Sequence, residues 1–196
     1  MGSAKKKHLV ACARKLFESE GFHITGIDRI LEEAGVAKMT LYNNFGSKEM
    51  LIVAALENAS SEMLDQLQQA VSHISDPYEQ VLGIFDALAQ WYTDENFCGC
   101  MFQAAVAEYP DPDSAPAQAA RTHMERLHEI FESMCTRAEL DQPETLASML
   151  AMLASGANCT ARQIRTRVPA DHARQIAEIL LERACANTLS NTNIAR

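Results

Sequence analysis

The sequence of 196 residues predicts an all-α protein of about nine helices, and three observations carry that expectation. Alanine, the best helix former, occurs 30 times, against 7 valines and 11 isoleucines, which favour strands. Aromatic residues, which strands also use heavily, make up only 6%. Apolar residues recur three and four positions apart along most of the chain, the repeat of a helix with one buried face. At 47% hydrophobic and 22% charged, with 8 glycines and 6 prolines, the chain has the composition of a folded domain rather than of a disordered or repetitive one.

The first helix covers 4–19, with Leu9, Ala13, Leu16 and Phe17 on its inner face, and Gly21 supplies the left-handed residue at its end. Phe22 folds back on the last turn, and Thr25 reads as the N-cap of a second, short helix whose stripe is Ile27, Ile30, Leu31 and Ala34. That helix stops at Gly35, and a third begins a few residues on, with Val36, Leu41 and Phe45 inward. Two short helices joined by a glycine-containing turn form a helix-turn-helix unit over 1–50. The remainder, 51–196, reads as a helical body. A connecting helix over 47–70 carries Leu51, Ile52, Ala55, Leu56, Met63, Leu64 and Leu67 and ends before the Asp76-Pro77 start of the next, which runs to 92. Helices over 99–109 and 114–137 are separated by Pro110-Asp111-Pro112-Asp113. The last two, 143–165 and 169–187, each open near a proline and carry Leu146, Met149, Leu150, Leu153 and Ala157, then Ile176, Leu180 and Ala184. Fraying is expected beyond 188.

Charge divides the chain. The net charge is −9, yet all six lysines lie within the first 48 residues; residues 1–50 carry +2 and 51–196 carry −11. An acidic body repels polyanions and anionic membrane, whereas the basic first unit is able to meet phosphate. No stretch approaches the roughly 20 apolar residues of a membrane span. The basic start is not followed by an apolar segment, so neither a secretory signal nor a lipid anchor is expected, and the cytoplasm is the expected location. There the six cysteines stay reduced, and their spacing matches neither a disulfide framework nor a zinc site; no cofactor is expected.

With Leu41 and Phe45 inward, the third helix turns Lys38, Met39, Thr40, Tyr42, Asn43 and Asn44 outward, with no acidic residue between 35 and 47. Lysine and threonine bond phosphate, tyrosine offers a hydroxyl, an asparagine amide matches adenine, and a methionine lies against a thymine methyl. That chemistry suits the major groove of duplex DNA. The bland alternative is a solvated polar helix.

Gly21-Phe22, Thr25, Ile27 and Ile30, followed by Ala34-Gly35-Val36-Ala37-Lys38-Met39-Thr40-Leu41-Tyr42-Asn43-Asn44-Phe45-Gly46-Ser47-Lys48-Glu49-Met50-Leu51, resemble the DNA-binding segment of the tetracycline-repressor (TetR) family of transcriptional regulators. The resemblance covers about a quarter of the chain. It implies that Thr25 caps the second helix near phosphate, that Tyr42 and Lys48 clamp the DNA backbone, and that residues 38–43 face the bases. Ala37 departs from the serine or threonine usual in the family, which leaves the third helix without a side-chain cap. The resemblance further implies a helical effector-binding and dimerisation body. Its last two helices would pair with a twin through Met149, Leu153, Gly156, Ala157, Ile176 and Leu180, so that a homodimer grips a pseudo-palindromic operator.

Residues 91–102 gather the single tryptophan with aromatic and sulfur side chains. Trp91, Tyr92, Phe97, Cys98, Cys100, Met101, Phe102 and His123 are candidate walls of a pocket for a small apolar or aromatic effector, with Glu108, Tyr109 and His128 as further polar handles. The competing reading is a helix junction filled by bulky groups. Cys98, with Cys100, is also a candidate redox or electrophile trigger, since a helix start favours thiolate. Two rivals complete the field: a helical thiol oxidoreductase, which the single residue between Cys98 and Cys100 disfavours, and a protein-binding module using the same outer face. No nucleophile, phosphate-loop or metal-helix motif appears, so no enzyme is expected. The function expected is that of a repressor released from its operator by a small-molecule effector.

Overall fold

The computed structural model describes residues 2–194, with side chains described from 4 to 187. Nine helices are present among the described residues: α1 (Gly2–Glu20), α2 (Ile27–Ala34), α3 (Lys38–Phe45), α4 (Lys48–Val71), α5 (Pro77–Tyr92), α6 (Met101–Glu108), α7 (Ala115–Arg137), α8 (Pro143–Ile164) and α9 (Val168–Ile194). No strand occurs among them. The fraying expected beyond 188 is not seen in the backbone as far as Ile194, where α9 ends; Ala195 and Arg196 lie outside the described residues. No helix among the described residues is long and apolar enough to cross a membrane.

The chain groups into two compact units, residues 1–63 with 100–123 and residues 64–99 with 124–196. This grouping differs from a division after residue 50, because the start of α4, all of α6 and the start of α7 belong with the three N-terminal helices. Of the side chains the helical spacing selects in the first unit, Leu9, Ala13, Leu16 and Phe17 from α1, Ile30, Leu31 and Ala34 from α2, Leu41 from α3, and Leu51, Ile52, Ala55 and Leu56 from α4 are buried, whereas Ile27, Val36, Phe45 and Met63 are half-buried. Arg14 of α1 is paired with Glu18 at 2.8 Å and with Glu62 of α4. In the second unit α5, α8 and α9 pack on one another. Phe85 of α5 stacks on Phe131 of α7 at 5.9 Å, and the buried Tyr92 hydroxyl donates to Oδ1 of the buried Asn158. The N-cap expected at Asp76 is made: its carboxylate accepts the Tyr78 N–H at 3.0 Å.

Thr25 corrects the expectation made for it. The N-cap of α2 is Gly26, with no side-chain bond, and Thr25 has no exposed surface. Its hydroxyl donates 2.6 Å to the Gly21 carbonyl and so closes the α1–α2 turn from inside. A serine or threonine hydroxyl bonds nearby backbone in turns as readily as at caps, and here the turn takes it.

Candidate nucleic-acid interface

The turn between α2 and α3 is set by Gly35, whose φ of +60° lies in the left-handed region. Its N–H donates to the Glu32 carbonyl at 3.2 Å and the Val36 N–H to the Leu31 carbonyl at 3.2 Å, the pair of bonds that ends a helix on a left-handed residue. As expected, Ala37 at the start of α3 makes no side-chain cap bond; of the first-turn amides, the Thr40 N–H donates to the Ala37 carbonyl at 2.8 Å. Leu41, with no exposed surface, anchors the inner face, while Phe45 is half-buried.

On the outer face Lys38, Met39, Tyr42, Asn43 and Asn44 are exposed and Thr40 is half-buried; Met39 shows 65% of its surface and Tyr42 40%. The two asparagines are not equivalent. Asn44 donates its amide back to the Thr40 carbonyl at 2.7 Å, whereas Asn43 has no hydrogen-bond partner among the described residues. Lys38 reaches Asp28 of α2 only at 4.0 Å with both side chains largely in solvent, a pairing that water screens. Lys48 is half-buried and donates to the His23 carbonyl at 3.4 Å; burial lowers its pKa, and the nearby Glu108 carboxylate opposes that shift. The sequence reading missed Lys6 of α1, which lies over the Phe45 ring at 5.2 Å and brings the lysine run at the chain start beside the end of α3. Its only signal was the clustering of Lys5, Lys6 and Lys7. Thr25, fully buried, cannot offer its hydroxyl to phosphate, which corrects its place among the DNA-binding residues.

The candidate effector residues fall into both units. In the second, Trp91 meets the Phe97 ring edge-on at 4.9 Å, and Tyr92 lies 5.3 Å from Phe97. In the first, His123 of α7 is buried, stacks on Phe102 of α6 at 3.5 Å, and has Nδ1 3.0 Å from the Ser60 hydroxyl of α4; Met101 and Cys100 are buried beside Phe102 in sequence. Cys98 is exposed and donates to the Asn96 carbonyl at 3.3 Å, while Cys100 is only 5% exposed. Paired thiol chemistry needs both sulfurs open, so Cys100 does not serve it. The handles Glu108, Tyr109 and His128 prove to be engaged elsewhere. Glu108 accepts the backbone N–H groups of Phe22 and His23, the Tyr109 ring lies 4.8 Å from the His23 ring at a tilt of 38°, and His128 bonds Ser148 at 3.0 Å. Among the described residues no group of three His, Cys, Asp or Glu side chains is arranged to hold a metal.

Met149, Leu153, Gly156, Ala157, Ile176 and Leu180 all line one apolar groove formed by α8 and α9. Met152, 74% exposed, lies on the same groove, and Ile179 of α9 is 63% exposed.

A family model described as bacterial regulatory proteins, tetR family, matches residues 9–55. The HTH-type transcriptional regulator YjdC of Escherichia coli (strain K12) is 25% identical over 187 residues, covering 90% of this chain and 93% of its own. The HTH-type transcriptional regulator RutR of Escherichia coli (strain K12) is 46% identical over 54 residues, 28% of this chain and 26% of its own. The crystal structure of SCO4454, a TetR-family transcriptional regulator from Streptomyces coelicolor, superposes with a TM-score of 0.84 at 28% identity, over 93% of this chain and 96% of that one.

Proposed function

The chain belongs to the tetR family of bacterial regulatory proteins, and from that premise we propose that it is a ligand-responsive repressor that leaves a pseudo-palindromic operator when a small-molecule effector binds. One observation carries the DNA-binding part: an acid-free helix face, from Lys38 to Asn44, stands in solvent above a buried Leu41 and follows a glycine turn. In the groove Asn43, with its amide unspent, reads a base edge, Met39 meets a thymine methyl, and Lys38, Thr40, Tyr42 and Lys48 hold the backbone. Asn44, committed to Thr40, contributes less.

Two copies are needed, because one such unit reads few base pairs. The apolar groove of α8 and α9 and the exposed Met152 and Ile179 support a two-fold interface there, since contiguous exposed apolar surface of this kind marks association. The effector contacts proposed are Trp91, Tyr92, Phe97 and Cys98 within the second unit and Cys100, Met101, Phe102 and His123 within the first, each set taken by itself. Trp91 is the chain's single tryptophan, so its fluorescence screens effectors directly. The protein works in the cytoplasm on this reading, and no catalytic step enters.

The test is selection of random duplexes by the purified protein, followed by affinity measurements across salt. The expected result is enrichment of a two-fold symmetric sequence. Lys38→Ala then weakens binding to all sequences and reduces the log–log salt slope by about 0.9 for each phosphate no longer neutralised, whereas Asn43→Ala costs about 1–3 kcal/mol and relaxes preference at one position. Failure to enrich any sequence overturns the proposal.

A further inference from the structure

The end of α6 is joined to the α1–α2 turn by a set of interactions that composition and periodicity did not reveal. Glu108, the last residue of α6, accepts the Phe22 N–H at 3.0 Å through Oε1 and the His23 N–H at 2.6 Å through Oε2. The same Oε2 is 2.9 Å from Nδ1 of His23. Gly21 admits the carboxylate: its φ is +91°, and a Cβ there would stand 3.1 Å from Oε1. Next along the chain, Tyr109 lies against the His23 ring at a tilt and meets the buried Phe22 edge-on at 6.3 Å. From the other side, Lys48 of α4 donates to the His23 carbonyl. The turn that leads into α2 is thus held by an acceptor from α6, a donor from α4 and the Thr25 hydroxyl within it.

We propose that Glu108 is a positioning residue: it latches the α1–α2 turn to α6 and so fixes the helix-turn-helix in the pose that meets DNA. The inference rests on the DNA-binding reading above. A carboxylate accepting two backbone amides and facing a histidine makes charge-assisted bonds, stronger than neutral ones. Burial pushes the Glu108 carboxyl up, yet the His23 and Phe22 amides and the His23 ring outweigh it and hold it below the usual carboxylate range. The groups that act on the latch are His23 from the turn, Lys48 from α4, and Glu49 of α4, whose charge acts with that of Glu108 on Tyr109. A turn ordered in advance leaves less freedom to be lost on DNA, so a held latch favours binding.

Two measurements on the full chain decide this. Amide hydrogen exchange is compared between wild type and Glu108→Gln, which keeps the side chain's shape and removes its charge. The expected result is a loss of protection of roughly tenfold or more at the Phe22 and His23 amides, with the α1 amides unchanged. Affinity for the selected duplex is then compared between the same two proteins, and Glu108→Gln is expected to bind several-fold more weakly. Unchanged protection at Phe22 and His23 overturns the latch, as does equal affinity of the two proteins. If wild type enriches no duplex, the DNA-binding reading fails while the exchange comparison still decides whether the latch exists. Should Glu108→Gln not fold, Glu108→Asp keeps the charge on a shorter arm and is expected to show intermediate protection; full protection there overturns the proposal.

Discussion

Thr25 and Asn44 are polar residues whose chemistry is consumed by their own backbone. Thr25, without exposed surface, donates to Gly21, and Asn44 donates to Thr40. Replacing Thr25 with valine keeps the shape and deletes the donor. The expected cost is about 1 kcal/mol of stability, read as a lower urea midpoint. Residue type alone left this role open, because a threonine after a helix end suits a cap, a turn or a phosphate equally. Only the position of the Gly21 carbonyl chose among them.

At the scale of elements, the order of helices was legible because three- and four-residue apolar spacing is local and survives without knowledge of partners. Leu9, Leu16, Ile30, Leu41 and Leu56, all picked out by that spacing, are buried. Helix ends were less legible where the deciding atoms come from far along the chain. The α1–α2 turn receives Glu108 from some 85 residues away. A second element-scale case is the approach of α5 to the end of α4 and the segment after it, where a Cβ on Gly83 would stand 2.9 Å from Val71 Cγ1 and 3.0 Å from Ile74 Cδ1. Alanine in a helix interior is worth about 1 kcal/mol over glycine, but overpacking against a stiff β-branched side chain costs about 1–3 kcal/mol. Gly83→Ala is therefore expected to destabilise, measured as a lower melting temperature. At Gly156, with nothing within 4 Å of a Cβ, the same substitution is expected to stabilise the isolated chain.

For the whole molecule, the proposed dimer makes α8 and α9 decisive for DNA binding without touching DNA. Ile176, 46% exposed in the groove of these helices, is the sensitive point. Ile176→Glu buries a carboxylate in an apolar two-fold interface at a cost of several kcal/mol, since an unpaired charge there loses its hydration. Light scattering is expected to show a monomer, and operator affinity to fall at least a hundredfold, with helicity retained. A dimer of undiminished affinity would remove α8 and α9 from the interface. The charge split, +2 against −11, agrees with a molecule that meets DNA through its N-terminal helices only.

By itself the sequence determined an all-helical chain, the glycine turn at Gly35 and an acid-free face on the third helix. These follow from local periodicity, backbone freedom at glycine and residue charge, which need no distant partner. The tertiary structure decided how polar groups are used: Thr25 inside a turn, Glu108 on the Phe22 and His23 amides, His123 against Ser60 and Phe102, and the Asn44 amide on the Thr40 carbonyl. A hydrogen bond acts only within about 3 Å and at the right angle. Its partners are settled when packing brings remote segments together.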